Sequence, residues 1–418
     1  MTHRATLNVL AACLIALALA GVSAGQTAQL QALATPEVPE QFRALFQSLD
    51  QTLAQARQTY PVDRNRPLPL VAPSLLLASS IYGPAPANSQ RWNDLLATLD
   101  MYQSMGMRAV LLQIMAPDLA DGDRRTYVDF YQRLATEIRS RKLKLYIEHF
   151  VNVPFKTNQP REGDSLLTLR DDPEGRQEFL RILQQELVQI HRELKPDYLS
   201  LLTEPQSTIN DHLHFTFKPD ELAVWVGQTA KLLRSSGASP TTLLGAGATT
   251  IEPDDFIMKF AQQPDLDYID FHLYVVKYKG EDQIAKIAET IHRIRQARPT
   301  MKFTIGEAWL CKVGKEGPAG TIQEAFFRDN FSFWAPLDEQ FMAVLLRMAQ
   351  KEEIAVIVPY FSQHFFTYCT FGSPEAGALP PWPTCVGVSW NQAIEAIHRR
   401  ELTATGQAVV DLLKSNTR

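Results

Sequence analysis

The feature that most constrains this chain is an alternation of apolar runs with helical stripes. Eight runs read as buried strands: Leu75–Ser80, Ala109–Met115, Leu143–His149, Tyr198–Thr203, Thr242–Ala248, Tyr268–Tyr274, Phe303–Glu307 and Ile354–Tyr360. Runs that are apolar at nearly every position suit strands covered on both faces, as in parallel sheets. Between them, apolar residues recur at helical spacing. Trp92, Leu95, Leu96, Leu99 and Tyr102 form one stripe, with Ser89 placed to cap it. Phe179, Ile182, Leu183, Leu187, Ile190 and Leu194 form another. Strands that alternate with helices pair in parallel through right-handed crossovers. Eight such units close into an α/β fold of the (β/α)8 TIM-barrel class. The competing layout, an open doubly wound sheet, carries a glycine-rich phosphate loop after its first strand, and Ser79-Ser80-Ile81-Tyr82-Gly83 is not one.

The barrel is expected over 74–418, and 418 residues at 45% apolar content are ample for its core. Ahead of it, 25–73 reads as a helical extension and linker. Phe42, Leu45, Phe46, Leu49 and Leu53 fall at helical spacing, so an amphipathic helix should pack on the main domain, and Tyr60 to Pro73 is proline-rich. Residues 1–24 read as an export signal: His3 and Arg4, an apolar run from Leu7 to Ala20, then the small residues Val22-Ser23-Ala24. Leu10-Ala11-Ala12-Cys13 also fits a lipoprotein box, but the apolar run continues past Cys13. The expected product is a secreted or periplasmic protein with no stable membrane insertion after signal removal. Its charge would be 40 − 46 = −6, against −5 for the whole chain. With no basic block, nucleic acid is not an expected partner. Cys311, Cys369 and Cys385 remain after cleavage; a disulfide between the last two would close the Pro/Gly-rich loop they flank, and Cys311 reads as a small buried hydrophobe. Their spacing matches no zinc motif, and no metal or other cofactor is expected.

Polar groups gather at the strand ends: Gln113 on the second, Glu148 and His149 on the third, Thr203 and Glu204 on the fourth, His272 and Tyr274 on the sixth, Glu307 on the seventh. In a barrel these ends converge on one pocket. A carboxylate ending an apolar strand is costly to bury unless it is paired or used, and Glu204 and Glu307 do so at equivalent points of the repeat. Two such carboxyls are what glycoside hydrolysis needs, one to attack the anomeric carbon and one to protonate the leaving oxygen. Their mutual repulsion keeps one of them protonated near neutral pH. Trp309, Trp334 and Trp382 offer rings for stacking on sugar faces, with core packing as the alternative role for each.

With these motifs the chain resembles, over roughly 74–410, the clan of retaining (β/α)8 glycoside hydrolases that includes the cellulase–mannanase and galactanase families. Glu204-Pro205 matches the clan's acid/base Glu at the end of strand four, and Gly306-Glu307 matches its nucleophile at the end of strand seven. His272-Leu273-Tyr274 matches a His-x-Tyr whose Tyr bonds the nucleophile, and His149 matches a His ending strand three. The chain departs from the clan where Thr203 replaces the Asn that binds the sugar 2-hydroxyl. Leu111, Leu112 and Gln113 stand where an Arg steadies the nucleophile, and Pro359-Tyr360-Phe361 stands where a Trp ends strand eight.

The resemblance implies a secreted retaining glycosidase acting on an oligo- or polysaccharide, with Glu307 as nucleophile and Glu204 as acid/base. Gln113, His149, Thr203, His272, Tyr274, Trp309 and Trp334 would bind the substrate. Two alternatives stand beside it. One is a sugar isomerase or epimerase using Glu148, Glu204, His272 and Glu307 around a divalent cation such as Mn²⁺. The other is a carbohydrate-binding barrel that has lost activity, motivated by Thr203 and the missing Arg.

Overall fold

All eight strands of a barrel are present in a computed structural model, which describes residues 37–63, 65–78, 89–116, 124–151, 169–211, 213–312, 328–372 and 383–415. They are β1 (Leu70–Val71), β2 (Ala109–Ala116), β3 (Lys144–Val151), β4 (Tyr198–Ser200), β5 (Leu243–Thr249), β6 (Tyr268–Leu273), β7 (Lys302–Ala308) and β8 (Val356–Pro359). From β2 to β8 each pairs in parallel with the next in sequence, and β1 pairs in parallel with β8. Ser74 bridges to Leu111, the Leu75 N–H donates to the Leu111 carbonyl at 2.8 Å, and the Leu111 N–H donates to the Pro73 carbonyl at 3.1 Å. These contacts close the barrel between β1 and β2.

The first strand corrects the sequence reading. It lies at Leu70–Val71, inside the proline-rich stretch, and Leu76–Ala78 is a turn of 3₁₀ helix. The prolines do not prevent pairing, because the donors to β8 are Leu70 and Ala72, at 2.9 Å each, while Pro69 and Pro73 occupy the alternate positions.

Helices α1 (Glu40–Thr59), α2 (Ser89–Ser104), α3 (Arg124–Ser140), α4 (Pro173–Leu194), α5 (Pro219–Ser236), α6 (Asp254–Ala261), α7 (Gln283–Ala297), α8 (Ala335–Lys351), α9 (Pro383–Arg399) and α10 (Ala404–Ser415) cover the sheet. Local chemistry sets several starts. Asp172 accepts the Gly175 N–H at 2.8 Å ahead of Pro173 in α4, and Asp282 accepts the N–H groups of Ile284 and Ala285 at the start of α7. Helix α1 buries Leu49, Leu53 and Ala56, and its Phe42 and Phe46 rings stack against Phe333 and Trp334 at 5.3 and 5.9 Å. The export-signal segment, Cys13 and Trp382 lie outside the described residues, as does the side chain of Cys385 with which a Cys369 disulfide would form. Cys311 is buried against Trp309, Tyr360 and Phe361.

Inside the barrel, side chains fall in layers. Tyr146, Tyr198 and Tyr268 pack with Ala72, Ala109, Leu111, Val356 and Val358 at one level. Above them Asp270, with no exposed surface, accepts hydrogen bonds from Tyr146 at 2.8 Å, Ser200 at 3.1 Å and Thr304. The carboxyl groups at the strand ends rest on this polar layer.

Candidate active site

Register brings the predicted groups into one ring. Gln113 lies opposite Glu148, Glu148 opposite Ser200, Gly247 opposite Asp270 and Asp270 opposite Thr304. The pairing of β6 with β7 then slips: Phe271 faces Ile305, but His272 faces Glu307. Gly306 is the extra residue of this bulge. On a regular strand Gly306 and Glu307 would face opposite sides. Here a Cβ on Gly306 would collide with the carboxyl oxygens of Glu148 and Asp270, so Gly306 faces inward, and Glu307 still reaches the groups inside the barrel mouth.

Glu204 is set by a different device. Its φ is +50°, a left-handed conformation that costs a non-glycine residue about 1–2 kcal/mol. The chain then enters a π-helical turn, Pro205–Asp211. Thr208 closes the turn on the Glu204 carbonyl, its N–H donating at 2.9 Å and its hydroxyl at 2.7 Å. Strain held in place by such bonds at a strand end is common where a side chain must be aimed.

The two carboxyls share Tyr274, whose hydroxyl contacts Glu204 Oε1 and Glu307 Oε2 closely. A hydroxyl carries one hydrogen, so one of these contacts requires a proton on a carboxyl. The surroundings say which. Burial opposes ionisation of Glu204, but hydrogen bonds from His272, Tyr274 and Ser207 outweigh it and hold the carboxyl below its usual range. Burial pushes Glu307 well above its usual range, with the charges of Glu148 and Glu204 adding to it against His272. The pair therefore favours the proton on Glu307 over Glu204. The Gln113 amide donates to the other oxygen of Glu307.

His272 is the cation of the site. It has no exposed surface; Nδ1 lies 2.8 Å from Glu204 Oε1, and Nε2 lies 3.3 Å from Glu148 Oε1 and 3.5 Å from Asp270 Oδ2. Burial alone would lower its pKa, yet Glu148 and Glu307 raise it well above the usual imidazole value. Among the described residues it is the only cation paired with Glu204 or Glu307. Glu148, also fully buried, is pushed up to about 7 by desolvation, with His272 opposing.

Ligand-capable atoms of Glu204, His272 and Glu307 lie within 4.8 Å of one another, and those of Glu148, Asp270 and His272 do likewise. Both sets depend on His272, so a cation bound at either would have to displace a proton from the ring.

Gln113, His272 and Tyr274 thus join Glu204 and Glu307. Thr203 is buried at the strand end, and its hydroxyl has no hydrogen-bond partner among the described residues. Three other expectations are corrected. His149 points out of the barrel, where Nε2 pairs with Glu186 of α4 at 3.0 Å; alternation along β3 sends Glu148 inward and its neighbour outward. Trp334 is 0% exposed, wedged against α1, with its N–H donating to the Arg328 carbonyl at 2.9 Å. Trp309 is 4% exposed and packs edge-on behind Tyr274 and against Phe361, at 6.2 and 4.8 Å, so neither ring presents a face to a sugar.

The sequence reading missed Asp270 and Glu252. Asp270 sits two residues before His272 on the same face of β6, a signal that was present. Glu252 lies in the turn after β5, its Oε1 accepting the Ser207 N–H at 2.7 Å, and no pattern marks it.

The fold and site define a class: a closed (β/α)8 barrel with a buried carboxylate pair at the C-terminal ends of its fourth and seventh strands. No protein-family model matches the sequence, and no curated protein matches it. Among solved structures the chain is similar to an exo-β-1,4-mannosidase from Opitutaceae bacterium strain TAV5, with 14% identity and a TM-score of 0.49 over 84% of this chain and 60% of that one. It therefore spans less than two thirds of that enzyme. It is also similar to a glycoside hydrolase family 5 mannosidase from Rhizomucor miehei, with 11% identity, a TM-score of 0.46, and coverage of 83% of this chain and 95% of that one. A β-mannanase from the blue mussel Mytilus edulis gives 12%, 0.43, 82% and 94% in the same order.

Proposed function

We propose that this protein is a glycoside hydrolase that works by double displacement, with Glu307 as nucleophile and Glu204 as general acid/base. One observation carries the reading: carboxyl oxygens of Glu204 and Glu307 lie within 4.8 Å of each other, on a shared Tyr274 hydroxyl. Retaining enzymes hold their carboxyls about 5–5.5 Å apart, whereas inverting enzymes leave about 6.5–9.5 Å for a water. In this reading the resting proton is favoured on the nucleophile, Glu307. Turnover requires it to cross Tyr274 to Glu204 as the sugar binds, leaving Glu307 ionised against the positive charge that develops at the anomeric carbon. His272 and Gln113 supply the positive charge and the donor that an arginine would otherwise bring to Glu307.

The substrate class is an oligo- or polysaccharide. We further propose, on the sequence of residues 1–24 alone, that the protein is exported. Among the described residues no helix is long and apolar enough to cross a membrane.

The test is hydrolysis of a panel of aryl glycosides and plant β-glycans, followed by trapping with the matching 2-deoxy-2-fluoro glycoside. Expected are retention of anomeric configuration and a covalent adduct on Glu307. Turnover untouched by both Glu204→Gln and Glu307→Gln would refute the assignment, and loss of turnover on dialysis against chelator would revive the metal-dependent reading. The unpartnered Thr203 hydroxyl favours a second reading, a sugar-binding barrel without turnover. Glycan binding by a wild-type protein that cleaves nothing in the panel would establish it.

A further inference from the structure

Glu252 has no part in the reaction as drawn, yet it is tied into the acid/base end of the site. Its backbone N–H donates to the Thr249 carbonyl at 3.2 Å, which turns the chain after β5 and sends the side chain inward to 6% exposure. Oε1 accepts the Ser207 N–H at 2.7 Å. Ser207 Oγ lies 3.1 Å from Glu204 Oε2. One residue of the π-helical turn therefore touches both carboxyl groups, through its amide on one side and its hydroxyl on the other. Glu252 Oε2 is buried without a hydrogen-bond partner among the described residues. Packing alone does not account for a carboxyl there, since an unpartnered buried oxygen costs about 1–3 kcal/mol.

We propose that Glu252 is a positioning residue for Glu204: through Ser207 it fixes the Glu204 carboxyl group, and its own charge governs how tightly the site holds the acid proton. The inference rests on the reading of Glu204 as acid/base. Among the described residues, the ionisable groups whose charges act on Glu252 are Glu204, from the turn after β4, and His272, from β6. The nearby Lys286 of α7 is engaged elsewhere, with the Thr250 carbonyl at 2.7 Å and Asp254 at 3.0 Å. Burial first and the charge of Glu204 second push the Glu252 carboxyl up to about 7, against the Ser207 amide and His272. The coupling is reciprocal: an ionised Glu252 makes Glu204 a weaker acid, and an ionised Glu204 does the same to Glu252.

The experiment follows carboxyl ¹³C shifts with pH in the full chain labelled at glutamate, for wild type, Glu252→Gln and Glu204→Gln. Wild type should show a carboxyl that titrates close to neutral pH and is missing from Glu252→Gln. In Glu204→Gln the same titration should move down by about one pH unit, the scale of a like charge between neighbouring buried groups. With an aryl glycoside that wild type cleaves, Glu252→Gln should move the alkaline limb of kcat to lower pH by a similar amount, because the proton that Glu204 holds in the complex is then lost sooner. Glu252→Ala, which also releases Ser207, should lower kcat about tenfold with KM unchanged. A Glu252 titration that ignores Glu204→Gln, or an alkaline limb that ignores Glu252→Gln, overturns the proposal. A wild type that hydrolyses nothing defeats the glycosidase reading alone, and the titrations still decide the coupling.

Discussion

Gly306→Ala tests the link between the bulge and the site. The backbone of Gly306 does not lie in the left-handed region, so alanine brings no conformational strain, and the whole effect is steric. The added methyl would fall inside contact distance of Glu148 Oε1 and both carboxyl oxygens of Asp270. Neither neighbour can swing aside. Asp270 is held by Tyr146, Ser200 and Thr304, and Glu148 is flanked by Gln113 at 3.2 Å and His272 at 3.3 Å; both carboxyl groups have no exposed surface. Overpacking a core by one methyl costs about 1–3 kcal/mol. Breaking one bond in a buried polar network adds about 1–3 kcal/mol. The expected loss is about 3 kcal/mol, read as a lower urea midpoint at an unchanged slope. Because Gly306 precedes Glu307, relief of the clash displaces the nucleophile. A shift of about 1 Å costs roughly a hundredfold in kcat. A Gly306→Ala protein with wild-type midpoint and turnover would mean that the inward space beside Glu148 and Asp270 is free, and the bulge argument would fall.

Stability should fall as pH rises through the acid-to-neutral range. Glu148 and Glu252 keep their protons to about 7 in the folded chain against 4.5 unfolded, so the folded state binds more protons between those values, and each carboxyl should remove about 3 kcal/mol across the window. Urea unfolding at a series of pH values checks this, with Glu252→Gln showing a shallower decline; parallel curves for variant and wild type would count against it. Trp334→Ala should destabilise by about 3–5 kcal/mol through lost packing on α1, with KM unchanged for the folded protein; a raised KM at wild-type stability would return Trp334 to the substrate. His149→Ala leaves Glu186 without its imidazole and should cost about 3 kcal/mol, again without a change in KM measured on the folded fraction.

The alternation of apolar runs and helical stripes was enough to give the barrel, because a buried parallel strand is apolar on both faces and short. That same property hides the phase of each strand. In β3 both neighbours of His149 are buried, so nothing in Ile147-Glu148-His149-Phe150 says which residue faces the barrel axis. Glu148 went inward and His149 outward, the reverse of what the clan resemblance suggested for His149. The fourth and sixth strands were easier, since Glu204, His272 and Tyr274 stand where the apolar run gives way to polar sequence. Glu307 shows how far such reasoning carries. Strict alternation from Thr304, which bonds Asp270 inside the barrel, would send Glu307 outward. The observed inward aim needs the one-residue slip at Gly306, and a glycine is what the crowding beside Glu148 and Asp270 demands. Gly306-Glu307 is therefore a single structural statement: the glycine creates the break in parity that turns the following carboxyl toward Tyr274 and Glu204. Glu252 carried no such mark, because its position depends on a turn after β5 meeting a π-helical turn after β4, a contact between loops distant in sequence.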